Sequence, residues 1–187
     1  MKKIAVVYYS GYGHTAVVAE AVREGALRVA DTHVDLIKVG EIEGKWEILN
    51  EADAIIFGAP TYMGSVAAPF KAFMDASSKL WAAEAWKDKI AGGFTNSGSQ
   101  SGDKLVSLIE LMIFAMQHSM IWVGLGIMPG NNSSKGSVND LNRLGSFAGA
   151  MTQSNTDQSP NETPPESDRE TAALLGQRIA SIAGRFS

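Results

Sequence analysis

The sequence contains no cysteine, which removes disulfides, iron–sulfur clusters, thiolate nucleophiles and thiolate-bound zinc together. Any electron transfer must therefore rest on a bound cofactor. Histidine is scarce as well: His14, His33 and His118 are scattered, and no His, Asp or Glu cluster has the spacing of a ligand set, so no metal is expected. Basic residues never run beyond Lys2-Lys3, and the formal charge is −4. A nucleic-acid partner thus has no electrostatic support. The apolar stretch Ile4–Tyr9 gives way to a Gly-rich turn before it reaches the length of a signal core or a membrane span, and a cytoplasmic location is the expectation. A serine hydrolase lacks its elbow, because Asn96-Ser97-Gly98-Ser99 is without the first glycine of Gly-x-Ser-x-Gly.

What is present is an ordinary globular composition, 45% hydrophobic and 19% charged over 187 residues, which fits one domain spanning 1–187. Short apolar runs at Ile4–Tyr9, Val34–Ile37, Ala54–Gly58, Ile90–Thr95 and Ile121–Gly124 predict five strands. Helical patterns alternate with them at Thr15–Val29, Pro69–Lys79, Asp103–Gln117 and Ser167–Ala183, with a weaker one at Trp46–Glu51. Strands such as Ala54-Ile55-Ile56-Phe57 are apolar on both faces, as a parallel sheet covered by helices requires. The chain therefore reads as an α/β, three-layer, doubly wound fold with a five-stranded parallel sheet in the order 2-1-3-4-5. Its ligand site is expected at the carboxyl ends of the strands. From about 129 to 166 the chain turns polar and rich in Gly, Ser, Asn and Pro. The apolar patch Leu141–Phe147 within that stretch predicts a long, partly ordered loop that covers a ligand or a subunit contact.

Three loops at the expected ligand edge carry chemistry. The first, Ser10-Gly11-Tyr12-Gly13-His14-Thr15, leads from a strand into a helix whose free N–H groups and dipole favour an anion. No Lys or Arg occurs between Lys3 and Arg23, so this cradle offers neutral donors. Gly11-x-Gly13-x-x-Ala16 also satisfies the dinucleotide fingerprint, with Asp31 or Asp35 near the ribose-binding position. The second loop, Pro60-Thr61-Tyr62-Met63-Gly64, sets an aromatic ring and a thioether beside the switch point, suited to a flat ligand. The third, Thr95-Asn96-Ser97-Gly98-Ser99-Gln100, is rich in amides and hydroxyls that suit the donor and acceptor edge of a heteroaromatic ring.

Taken together, Tyr9–Thr15, Gly58–Gly64 and Phe94–Gln100 resemble the flavodoxin-like superfamily, and within it the WrbA-like NAD(P)H:quinone oxidoreductases, over nearly the whole chain. The resemblance implies a flavodoxin-like fold and one non-covalent FMN. Its phosphate would lie on Ser10, Gly11, Tyr12, Gly13, His14 and Thr15, and its ring on Pro60, Thr61, Tyr62, Met63 and Gly64. Its pyrimidine edge and ribityl chain would meet Thr95, Asn96, Ser97, Gly98, Ser99 and Gln100. It also implies that Trp81 and His118 line the catalytic face, where NAD(P)H as electron donor alternates with a quinone or other small acceptor. Homodimers or homotetramers are implied too. The chain departs from the family pattern at Gln117-His118, where paired histidines are common, and at Thr61-Tyr62-Met63, where Arg-Phe commonly follows the Thr. A one-electron carrier of flavodoxin type and a non-catalytic flavin-binding module are the alternative functions.

Overall fold

The computed structural model describes residues 1–186; Ser187, the last residue of the expected domain, lies outside them. The elements in chain order are β1 (Lys2–Tyr8), α1 (His14–Leu27), β2 (Thr32–Lys38), α2 (Trp46–Glu51), β3 (Ala54–Tyr62), β4 (Ser65–Val66), α3 (Ala68–Ala76) and α4 (Ser78–Ala82). They continue with β5 (Ile90–Ser97), α5 (Lys104–Gln117), β6 (Ile121–Trp122), β7 (Ala150–Gln153) and α6 (Glu166–Ala183).

The sheet runs β2-β1-β3-β5-β6, with β7 also on β5 and the short β4 antiparallel to the end of β3. Both β6 and β7 pair parallel to β5, at Ile90–Ala91 and at Phe94–Ser97 respectively. They share one lane of the sheet. The five-lane flavodoxin-like order 2-1-3-4-5 is therefore as expected, but the last strand is not the continuous Ile121–Gly124. Residues 123–149 leave the sheet after Trp122, and the chain returns to finish the lane with β7.

Side-chain alternation along each strand feeds two cores. Ile4, Val6 and Tyr8 of β1 face Val18 and Val22 of α1 and Leu175 and Ile179 of α6, while Ala5 and Val7 face the side built from α2, α3 and α5. The second core is aromatic: Phe57 meets Phe114 at 5.2 Å, and Phe70 meets Phe73 at 5.4 Å, both nearly edge to face. On the first side α1 and α6 touch backbone to backbone, since a Cβ on Gly25 would collide with Ala173 O and one on Gly176 with Val22 O. The absence of side chains at these two positions is what lets the helices close over the sheet.

The polar stretch at 129–166 is organised rather than loose. Asn142, buried and at φ +48°, donates from Nδ2 to Ile127 O and Ser146 O, and its Oδ1 accepts from Ser146 N–H. Arg143 forms a two-point ion pair with Asp168 of α6 at 2.7 and 2.9 Å, with both side chains nearly inaccessible. The expected helix Pro69–Lys79 is divided into α3 and α4 at Ser77, whose hydroxyl donates to Met74 O.

Candidate functional site

At the carboxyl ends of β1, β3 and β5 a cleft of about 590 Å³ opens. The first loop forms its floor. Ser10 Oγ accepts from Gly13 N–H at 3.1 Å and so leaves its own proton free to donate. Gly13 precedes α1 at φ +92°, a left-handed turn that costs little only for glycine. The helix begins at His14 with no acidic residue in its first turn, and its first regular bond runs from Val17 N–H to Gly13 O. The N–H groups of His14, Thr15 and Ala16 therefore point out of the helix end unspent by the helix itself. Ser10, Tyr12, His14 and Thr15 all line the cleft, and no Lys, Arg, Asp or Glu does. Neutral donors at a helix end match a phosphate. Thr15 is 2% exposed, so its position at the helix start is fixed by packing.

The second loop supplies Pro60, Thr61 and Tyr62 to the wall. Thr61 Oγ1 lies 2.8 Å from both Thr95 Oγ1 and Ser107 Oγ, a buried hydroxyl cluster that ties β3, β5 and α5 together beneath the site. Tyr62 and Tyr12 meet edge to face at 6.1 Å at the cleft mouth. Burial, then the nearby Tyr9 and Tyr12, push the Tyr62 phenol above its ordinary value, so it stays a neutral donor. Glu110 of α5 accepts from Ser65 Oγ and Val66 N–H at 2.9 Å and pins the far end of this loop.

From the third loop come Asn96, Ser97 and Gly98. Asn96 Oδ1 accepts from Thr152 Oγ1 at 2.8 Å and Ser154 Oγ at 3.0 Å. This consumes the carbonyl and fixes which way the amide faces, leaving the Nδ2 protons for a ligand acceptor.

A fourth wall, absent from the sequence reading, follows β7. Ser154, Thr156, Gln158 and Pro160 line the cleft, and Gln158 O lies 2.9 Å from His14 Nε2. Arg169 holds this stretch from behind, donating to the carbonyls of Pro160, Asn161 and Pro164. No apolar alternation in Met151-Thr152-Gln153-Ser154 signals a strand there, because the buried positions are Ala150 and Thr152 rather than a run of large apolar residues. The second half of the long loop expected at 129–166 thus lines the cleft.

The other expected residues take different places. Gly11 backs onto Tyr62, Thr95 lies wholly beneath the cleft, and the carbonyls of Ser99 and Gln100 turn down onto Lys104. Met63, at φ +51°, is fully exposed at the rim beside Gly64. Trp81 and His118, to which the resemblance gave the catalytic face, do not line this chain's cleft. Both line a separate hollow of about 580 Å³ with Met74, Ser77 and Ile113. The reason is topological: α5 starts at the cleft edge and carries the chain to the opposite edge, so His118 sits where β6 begins. Its Nε2 lies 2.9 Å from Ser77 Oγ, its ring packs on Trp86 at 4.2 Å, and burial pushes its pKa down to about 4. The dinucleotide reading also fails on position. Asp31 precedes β2 at the amino edge, where its carbonyl accepts from Lys2 N–H, and Asp35 lies in the middle of that strand. Neither can reach a ribose at the carboxyl edge.

Comparison with known proteins agrees with this geometry. The family model for NADPH-dependent FMN reductase matches residues 3–134. Flavodoxin FldP of Pseudomonas aeruginosa is 48% identical over 183 residues, covering 97% of each chain. The NAD(P)H dehydrogenase (quinone) of Chromohalobacter salexigens is 32% identical over the full length of both. Among solved structures, a flavodoxin, WrbA-like protein from Agrobacterium tumefaciens is 40% identical over all of both chains, with a TM-score of 0.78.

Proposed function

The chain belongs to the NADPH-dependent FMN reductase family, and on that premise we propose that it holds one FMN non-covalently in the cleft and passes two electrons from NAD(P)H to a quinone-type acceptor. The observation that carries this reading is the cleft itself: a helix end with neutral donors, an aromatic mouth and a fixed amide converge at one sheet edge. Bound FMN supplies the electron relay between donor and acceptor, chemistry that no side chain of this chain could perform.

The residues bind and orient. Ser10 Oγ–H, Thr15 and the N–H groups at the start of α1 hold the phosphate. Asn96 donates from Nδ2, with Thr152 and Ser154 keeping the amide in that orientation. Tyr12 and Tyr62 flank the mouth and shield one side of the cleft from water, with Tyr62 a proton-bearing phenol throughout the neutral range. Members named NAD(P)H dehydrogenase (quinone) and Quinone-oxidoreductase QR2 of Triphysaria versicolor, 36% identical, support the choice of acceptor.

A second reading is a flavodoxin-type electron carrier, favoured by the 48% identity to a protein named flavodoxin. Stopped-flow absorbance of the FMN-loaded protein separates the two. Rapid bleaching by NADH or NADPH and rapid recovery on adding benzoquinone support the reductase. Retained FMN that reduced nicotinamide does not bleach supports the carrier, and failure to bind FMN overturns both.

The same reading extends to assembly and location. One face of α5 leaves Leu105, Val106, Ile109, Ile113 and Met116 exposed to water, a stripe better suited to self-association than the inserted segment, which packs onto its own α6. Sedimentation of wild type against Ile113→Glu tests it: a homodimer or homotetramer that the variant reduces to monomer is expected. No helix among the described residues is long and apolar enough to cross a membrane, consistent with work in the cytoplasm.

A further inference from the structure

The sequence places a lysine at the first position of α5, and the structure buries it completely. Both facts run against simple physics. A cation at a helix N-terminus opposes the macrodipole, and a buried ammonium forfeits its hydration unless several acceptors replace it. Here they do: Lys104 Nζ donates to Ser97 Oγ at 2.7 Å, Gln100 O at 2.8 Å and Ser99 O at 2.9 Å. Every acceptor belongs to the third cleft loop.

This arrangement shapes the loop from below. Ser97 Oγ accepts from the ammonium and passes its own proton to Ser99 O at 2.8 Å. A trans peptide sets N–H opposite C=O, so gathering the carbonyls of Ser99 and Gln100 on one ammonium turns the N–H groups of Gln100 and Ser101 away from it. Gly102 at φ +55° passes so close to Ser97 that a Cβ there would strike its hydroxyl. Ser97 itself lines the cleft. A single hydroxyl thus separates the ammonium from the ligand space. Met at 104 would fill similar volume without the cost of burying a charge, so packing alone does not account for this residue.

We propose that Lys104 is a positioning residue for the FMN site: its ammonium, clamped beneath residues 97–100, holds the third loop in the binding conformation and lends positive charge to a cleft lined by no Lys or Arg. The inference rests on the FMN reading above. The charged groups that face Lys104 are Asp168 on α6, which favours the ammonium, and Arg143 in the inserted segment, which opposes it. Its neighbour Asp103 is exposed. Burial is the largest influence and brings the Lys104 pKa down to about 8, so the clamp changes its charge just above neutrality.

Linkage fixes the sign. If FMN prefers the charged clamp, affinity is greatest below pH 8 and falls as the ammonium deprotonates, by at most about tenfold per pH unit. Reciprocally, FMN raises the Lys104 pKa. The test is fluorescence titration of the full-length apoprotein with FMN at pH 7, 8 and 9, for wild type and Lys104→Met, with NMR titration of the lysine 13Cε signals in wild type with and without FMN. Expected are at least about tenfold weaker FMN binding by K104M at pH 7, a pH dependence present in wild type and flat in the variant, and a higher Lys104 pKa in the FMN-bound protein. Equal affinities, parallel pH profiles, or a Lys104 pKa indifferent to FMN would overturn the proposal while leaving FMN binding intact. Wild type that binds no FMN takes down both. Should K104M not fold, the wild-type NMR shift decides alone.

Discussion

The Cα of Gly13 faces the ring of Pro160 so closely that a Cβ added to it would stand 2.6 Å from Pro160 Cγ. Residues far apart in the chain, one opening α1 and the other following β7, thus close one end of the cleft against each other. The contact works only because Gly13 carries no side chain and accepts φ +92°.

Gly13→Ala therefore meets both strain and a clash. The expected result is a loss of about 1–3 kcal/mol in stability and a larger proportional loss of FMN affinity, because the turn and the wall move apart together. Thermal melts of the apoprotein and FMN titration measure the two effects separately.

The phosphate cradle predicts a difference between two ligands. Ser10→Ala removes both a loop acceptor and a phosphate donor, and should weaken FMN by about tenfold. Riboflavin, which lacks the phosphate, should bind wild type and variant with the same affinity. Equal weakening of both ligands would assign Ser10 to loop structure alone.

Arg143 and Asp168 form a buried ion pair, and Asp168 Oδ2 also accepts from Gln153 N–H at 2.8 Å. Removing one partner leaves the other charge buried. Arg143→Met should cost about 3–5 kcal/mol. Since Gln153 leads into the fourth wall, amide exchange across 153–160 should quicken in this variant more than across β1 or β3.

His118 predicts a pH dependence of stability. Its folded pKa of about 4 lies below the ordinary histidine value of 6.5, because burial disfavours the imidazolium. The unfolded chain therefore binds the extra proton first. The neutral histidine contributes in full above pH 6.5, and stability falls between pH 6.5 and 4 by up to about 3 kcal/mol. His118→Asn should flatten this part of the profile in chemical denaturation at pH 7, 5.5 and 4. An unchanged slope would show that other groups dominate acid unfolding.

The lanes of the sheet and the chemistry of three loops were legible in neighbouring residues. β1, β3 and β5 are apolar on both faces, a pattern only a covered parallel sheet satisfies, and parallel strands put their carboxyl ends at one edge. The glycines between Ser10 and Thr15 announced an anion at a helix end, because that chemistry is local to a few residues. The rest depended on how segments distant in the chain meet. β7 is a four-residue strand without a run of large apolar side chains, and its partner lies far upstream, with Thr152 bonded to Asn96 across 56 residues. No local period could reveal it, nor the fourth wall that follows it. Nothing in the sequence singles out Lys104, and it becomes a buried clamp only once the loop before it folds back over its ammonium. His118 shares a motif with the catalytic reading, but the direction of α5 carries it to the other end of the sheet. Motif chemistry is legible in neighbouring residues, whereas burial and edge are properties of how distant segments close upon one another.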